Sequence, residues 1–135
     1  PHATTLADVL NKPLIYVRAT AKSNGMSNQN EWQLTPGKKV LLIEDLISTG
    51  GSAINAVNAI RRAGGNVDYC LCIFSYGFAE ASKKFDEINC QYHALLSFPT
   101  LLKEAQTMDL LSKEQIESLK TWHKSPFKWA ETKGL

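Results

Sequence analysis

One short run constrains this chain more than any other. Val40-Leu41-Leu42-Ile43 is apolar at every position. A continuous apolar run of that length points to a strand, over 39–46, that is covered on both faces. Directly behind it stand two acidic residues, Glu44 and Asp45, then Leu46 and Ile47, then a cluster of small hydroxyl and glycine residues, Ser48-Thr49-Gly50-Gly51-Ser52. Ile54, Val57 and Ile60 follow at helical spacing, so a helix is expected over 53–63, closed by Gly64-Gly65. A strand, a tight loop and a helix in that order commit the chain to a layered α/β fold.

The rest of the sequence continues the alternation. Residues 67–74 read as a second apolar strand. Residues 78–88 read as an amphipathic helix with Ala81 and Phe85 inward and Lys83, Lys84 and Glu87 outward, and 92–97 as a short strand. A helix is expected over 99–108, with Pro99 near its start. Ser112-Lys113-Glu114-Gln115 is a capping-box pattern that opens a last helix running to about residue 124. Residues 125–135 are expected at the surface. At the other end, 4–10 reads as the end of a helix with Leu6, Val9 and Leu10 on one side. Pro13 stops it, and Leu14-Ile15-Tyr16-Val17 reads as a buried strand. The stretch 18–37 is polar and reads as a long loop, a kind that in compact domains is usually functional or disordered. Strands alternating with helices imply right-handed β-α-β units and a central, mostly parallel sheet flanked by helices. The length of 135 residues suits one domain, 1–135, with one core. The chain opens on Pro1 rather than Met, so it is expected to begin inside a longer protein, with the N-terminal part of the domain missing.

Composition removes several partners. Fifteen basic and 13 acidic residues give a net charge of +2, which offers no broad footprint for nucleic acid. No apolar run approaches the roughly 20 residues of a membrane span, and no signal segment opens the chain. Three cysteines are an odd count and not a disulfide framework, so a reducing compartment is expected. Cys70-x-Cys72 lacks the spacer of a zinc site and is read as a pair of core residues on one strand face. His2, His93 and His123 show no metal-ligand spacing and are expected at the surface or with satisfied partners. Trp122 and Trp129 are expected to pack the last helix and tail.

The run over 40–52 has a chemical reading beside the plain one of strand end, turn and cap. Ligands of open α/β sheets bind at the carboxyl ends of the strands. The start of the following helix offers free N–H groups that suit an anion. Glycines let the backbone come close to a bound group, and Ser48, Thr49 and Ser52 add hydroxyl donors. Carboxylates accept hydrogen bonds from sugar hydroxyls, so a sugar phosphate meets both halves of the segment. The P-loop ending of Gly-Lys-Ser/Thr is absent, and so is a G-x-G-x-x-G fingerprint.

The segment resembles the phosphoribosyl-pyrophosphate signature of type I phosphoribosyltransferases. Glu44-Asp45-Leu46-Ile47-Ser48-Thr49-Gly50-Gly51-Ser52 is similar to the version found in orotate phosphoribosyltransferases. The flanks agree: Leu14-Ile15-Tyr16-Val17-Arg18 with Lys22 and Gly25, Asn28-Gln29-x-Glu31, and Cys72-Ile73-Phe74-Ser75-Tyr76-Gly77-Phe78. The start, Pro1-His2-Ala3, resembles the residues just after the family's pyrophosphate-binding turn. The resemblance implies the type I phosphoribosyltransferase fold and transfer of a phosphoribosyl group to orotate, giving orotidine 5′-monophosphate and pyrophosphate in pyrimidine synthesis. It further implies that Glu44 and Asp45 meet the ribose hydroxyls, directly or through Mg²⁺ carried by the substrate rather than held by the protein alone. Ser48, Thr49, Gly50, Gly51 and Ser52 would hold the 5′-phosphate, with Leu46 and Ile47 also counted among the substrate-binding residues. Arg18 and Lys22 would contact pyrophosphate from the 18–37 loop, with Lys22 and Asp45 the catalytic residues. A homodimer, whose loop reaches the neighbouring subunit's site, and a cytoplasmic location are also implied.

The chain departs from the family pattern in places. Ala19 stands where a second basic residue is often found, Asn24 where His is frequent, and Trp32 where glycine is usual. Some members carry an arginine after the 67–74 strand, where this chain has Ser75-Tyr76-Gly77. The rivals are a purine-type phosphoribosyltransferase and a regulator that senses phosphoribosyl pyrophosphate without catalysis. The Arg18 and Lys22 loop argues against both.

Overall fold

The computed structural model describes residues 2–17 and 34–129. Its centre is a three-stranded, all-parallel sheet in the order β1-β2-β3, formed by β1 (Lys39–Ile47), β2 (Asn66–Ser75) and β3 (Gln91–Ser97). The helices are α1 (His2–Val9), α2 (Gly51–Arg62), α3 (Ala79–Glu87), α4 (Phe98–Thr107) and α5 (Lys113–Lys124). This is the expected α/β class, and the elements from residue 39 onward fall within a few residues of their expected bounds.

The local reasons are those of the sequence. The helix α2 ends in a Schellman motif: the Gly64 N–H donates to the Arg61 carbonyl and the Gly65 N–H to the Ile60 carbonyl, both at 3.0 Å, with Gly64 at φ +89°. Arg61, in the last turn of α2, donates to the carbonyls of Ile88 and Val67, each at 2.6 Å, and fastens the helix to the loop before β3. Ser97 caps α4, and Ser112 with Gln115 completes the capping box of α5.

The helices α2 and α3 bring Val57, Ile60, Ala81 and Phe85 against one face of the sheet, where Leu42, Val67, Cys70 and Cys72 point. The two cysteines share that buried face, as their alternate spacing on a strand requires. The opposite face differs from expectation. Among the described residues β1 is not covered on both sides: Leu41 is 48% exposed, and its neighbours Tyr69, Leu71 and Ile73 on β2 are exposed too. An apolar run makes both faces ready for burial, but α2 and α3 cover only one. Near the start, Leu14-Ile15-Tyr16-Val17 forms no strand of the sheet; residues 12–16 are irregular and Val17 makes an isolated bridge. Ile15 and Val17 still pack on the core while Leu14 and Tyr16 stay exposed, so the alternation survives without the ladder. Pro13, lacking an N–H, weakens this segment as a pairing partner. The apolar stripe Leu6, Val9 and Leu10 also remains exposed. Among the described residues no helix is long and apolar enough to cross a membrane.

Candidate functional site

The carboxyl edge of the sheet gathers the chemistry. β1 continues through Glu44 and Asp45 to Ile47, so the acidic pair lies within the strand's last turn of pleat rather than beyond it. Consecutive strand residues face opposite sides. Burial follows that rule: Glu44 is half-buried, paired in register with Cys72 on the helix-covered side, and Asp45 is exposed. Burial pushes the Glu44 carboxyl above its ordinary range, and the adjacent Asp45 charge adds to the shift. Asp45 turns one oxygen back onto its own strand, where Oδ1 accepts the Leu46 N–H at 2.7 Å.

The chain then bends through Ser48, Thr49 and Gly50. Ser48 and Thr49 are half-buried and Ser52 is exposed. Gly50 occupies the left-handed region, φ +81° and ψ −4°, and is the N-cap of α2, with no side chain capping the helix. The first helical hydrogen bond runs from the Ile54 N–H to the Gly50 carbonyl at 2.9 Å. The N–H groups of the first turn therefore belong to the open end of a twelve-residue helix whose dipole favours an anion. A methyl group built on Gly51 would meet nothing within 4 Å, so there is open space beside that backbone. Gly50 is different: behind it lie Phe85 and Ala81 of α3, at 3.4 Å and 3.6 Å from where a Cβ would stand.

The structure thus brings together Glu44, Asp45, Ser48, Thr49, Gly50, Gly51 and Ser52. Leu46 lies between them, partly exposed. Ile47 is 1% exposed, so its side chain serves the core and only its backbone faces the site segment. Arg18 and Lys22 lie outside the described residues. From the sequence, Ser75-Tyr76-Gly77 stands as a flank of the resemblance but is not placed among the residues of this edge. Tyr76 donates its N–H to the Ile47 carbonyl at 3.0 Å, and buried Ser75 accepts the Gly77 N–H at 3.0 Å through Oγ. A Ser-x-Gly turn at the end of an apolar strand was the available signal.

Among the described residues no three His, Cys, Asp or Glu side chains gather where they could hold a metal. Two carboxylates, one half-buried and one exposed, are hard oxygen donors that suit a cation whose remaining ligands arrive with a phosphate-bearing molecule. Carboxylate oxygens such as those of Glu44 and Asp45 are donors of the kind Mg²⁺ takes.

Comparison with known proteins agrees with this geometry. No family model matches the chain. It is 42% identical over 132 residues to the orotate phosphoribosyltransferase of Lactiplantibacillus plantarum, an alignment that takes 98% of this chain and 62% of that protein. The orotate phosphoribosyltransferase of Aeropyrum pernix superposes with a TM-score of 0.68 at 26% identity, over 77% of this chain and 58% of that one. UMP synthase of Leishmania donovani shares the fold, with a TM-score of 0.74 at 23% identity, over 90% of this chain and 26% of that one. The chain spans about three-fifths of the length of the curated relatives it matches. It is also 40% identical to the orotate phosphoribosyltransferases of Lactobacillus johnsonii and Listeria monocytogenes, over 97% of this chain and 62% and 63% of those proteins.

Proposed function

We propose that this chain carries the phosphoribosyl-pyrophosphate site of an orotate phosphoribosyltransferase, which joins orotate to the activated ribose and releases pyrophosphate, giving orotidine 5′-monophosphate on the way to UMP. One observation carries the reading: the acidic tip of β1, the bend over 48–52 and the uncapped start of α2 stand consecutively at one sheet edge, in a chain 42% identical to a named orotate phosphoribosyltransferase.

The residues divide the work by chemistry. The first-turn N–H groups of α2, with the hydroxyls of Ser48, Thr49 and Ser52, hold the 5′-phosphate. Asp45, exposed beside them, accepts from the ribose hydroxyls. Glu44 is the second acceptor; its half-buried carboxylate is poorly solvated, and a sugar hydroxyl compensates for the lost water. As the bond from the ribose C1 to pyrophosphate lengthens, positive charge grows on the ring and negative charge on the leaving group. The carboxylates favour the first. Lys22 and Arg18 are assigned to the second, and cations aimed at developing charge are a strong source of rate enhancement. Glu44 and Asp45 would meet Mg²⁺ brought by the substrate, which would supply further positive charge against the pyrophosphate. A homodimer and a cytoplasmic location belong to the same proposal.

The test is pyrophosphate release by the full-length protein with orotate and Mg²⁺, beside Lys22→Ala and Asp45→Asn. We expect turnover dependent on orotate, and a loss of at least about a hundredfold in each variant. Turnover that ignores orotate, or that survives Lys22→Ala unchanged, overturns the assignment.

A further inference from the structure

The backbone of Tyr76 joins two distant parts of the molecule. On one side its N–H donates to the Ile47 carbonyl at 3.0 Å, the last hydrogen bond before the bend at Ser48. On the other side its carbonyl is met by ring Nε2 of His123 in α5, 47 residues away. A carbonyl only accepts, so His123 Nε2 carries the proton in this pair. The imidazole is not free to wander. It stacks on Phe98, with centroids 5.0 Å apart and planes 16° from parallel, and lies 5.3 Å from the Phe78 ring. The Tyr76 ring is itself stacked on Phe78, at 5.4 Å and 8°, with Trp122 edge-on at 5.6 Å. Ile47 is fixed from its other end, because its side chain is buried in the core.

We propose that His123 is a positioning residue for the phosphate loop: its Nε2–H holds the Tyr76 carbonyl, and so fixes the Tyr76 backbone whose preceding peptide N–H anchors the Ile47 carbonyl, directly before Ser48. The inference rests on the reading of 48–52 as that loop. The influence of α5 passes through the two peptide groups that meet at the Tyr76 Cα: one carries the carbonyl that His123 meets, the other the N–H that donates to Ile47. Without the histidine donor the Tyr76–Gly77 peptide keeps its Gly77 N–H bond to Ser75 Oγ but loses its second hydrogen bond, and the first residues of the bend have a looser starting point. The consequence falls on binding of the phosphate rather than on the bond-breaking step.

Two variants separate the hydrogen bond from the ring. His123→Phe keeps a flat ring against Phe98 and removes the donor. His123→Gln loses the ring but carries an amide Nε2–H of similar reach. The full-length protein is titrated calorimetrically with ribose 5-phosphate, and pyrophosphate release gives KM and kcat. For His123→Phe we expect Kd for ribose 5-phosphate and KM for the activated sugar to rise roughly tenfold, the size of one hydrogen bond to a half-buried group, with kcat nearly unchanged. His123→Gln is expected to restore binding to within about twofold to threefold of wild type. Equal affinity in wild type and His123→Phe, or a Gln variant as weak as the Phe variant, overturns the proposal. Failure of the wild type to bind ribose 5-phosphate sinks the loop reading and this inference with it, while wild-type binding with unaffected variants sinks this inference alone. Should His123→Phe not fold, the wild-type protein still decides. The ¹⁵N signal of His123 Nε2 must report a bonded N–H and must shift on addition of ribose 5-phosphate, and an unmoved signal refutes the coupling.

Discussion

Replacing either glycine of the pair Gly50-Gly51 by alanine adds the same methyl group to adjacent residues, and the structure assigns the two changes opposite consequences. Gly50 sits at φ +81°, where an L side chain crowds its own backbone at a cost of about 1–2 kcal/mol. The new methyl would also stand 3.4 Å from Phe85 Cε2 and 3.6 Å from Ala81 Cα, in a cluster where both residues are fully buried. That contact is at the tight limit and adds a few tenths of a kcal/mol at most if Phe85 yields slightly. The sum is about 1–2 kcal/mol, which for a domain of this size lowers the melting temperature by roughly 3–9 °C. Gly51 has no positive φ and open space around it, and it is the first residue of a helix. Alanine there reduces the freedom of the unfolded chain, so stability is unchanged or raised by up to about 1 kcal/mol. Its methyl nevertheless projects into the space a phosphate would enter. Calorimetric melting paired with ribose 5-phosphate titration reads both effects. We expect Gly50→Ala to melt early, and Gly51→Ala to melt like wild type yet bind at least about tenfold more weakly. A Gly50→Ala protein that melts within 2 °C of wild type, on the order of the smallest shift one kcal/mol produces, refutes the strain argument. A Gly51→Ala protein that binds normally refutes the placement of the anion.

Further expectations follow from other parts of the molecule. Glu44 has its folded pKa raised by burial, so the folded state holds this proton more tightly than the unfolded chain. The stability associated with that proton is present below the ordinary carboxyl pKa of 4.5 and is lost as pH rises through the folded value. Glu44→Gln should therefore raise the melting temperature at pH 7 and leave it nearly unchanged at pH 4; equal shifts at both would show that ionisation is not the cause. Arg61→Lys replaces a fork that reaches the Ile88, Val67 and Asn89 carbonyls by a single point, and should cost about 1–3 kcal/mol in urea unfolding. No loss of midpoint would mean that these bonds do not hold α2 to β3. Burial pushes the thiols of Cys70, Cys72 and Cys90 upward. All three should resist iodoacetamide at pH 7.5 until the protein is denatured, as mass spectrometry can show. Rapid labelling of the native protein would contradict their burial.

What the sequence disclosed and what it hid divide along a physical line. The bend over 48–52, the Schellman stop at Gly64-Gly65 and the capping box at Ser112 depend on neighbours a few residues apart, so residue order alone specifies them. The inward faces of α2 and α3 follow from helical period in the same way. The exposed side of β1 was not legible, because an apolar run records what a face could bury and not which element covers it. Leu14-Ile15-Tyr16-Val17 carried the right alternation for a strand, but a ladder needs a partner strand, and alternation does not name one. The carboxyl edge is the instructive case. Once β1 and β2 are taken as parallel neighbours, the end of β2 must stand beside the end of β1, so Ser75-Tyr76-Gly77 could have been placed next to the bend by topology alone. His123 could not, since its approach depends on how α5 packs across Phe78 and Phe98. Residues proposed to touch a ligand are thus written in a compact motif, while the one proposed to hold the motif still is set by packing between elements far apart in the chain. Variants chosen from the motif test whether the site binds, whereas variants at His123 test why it keeps its shape.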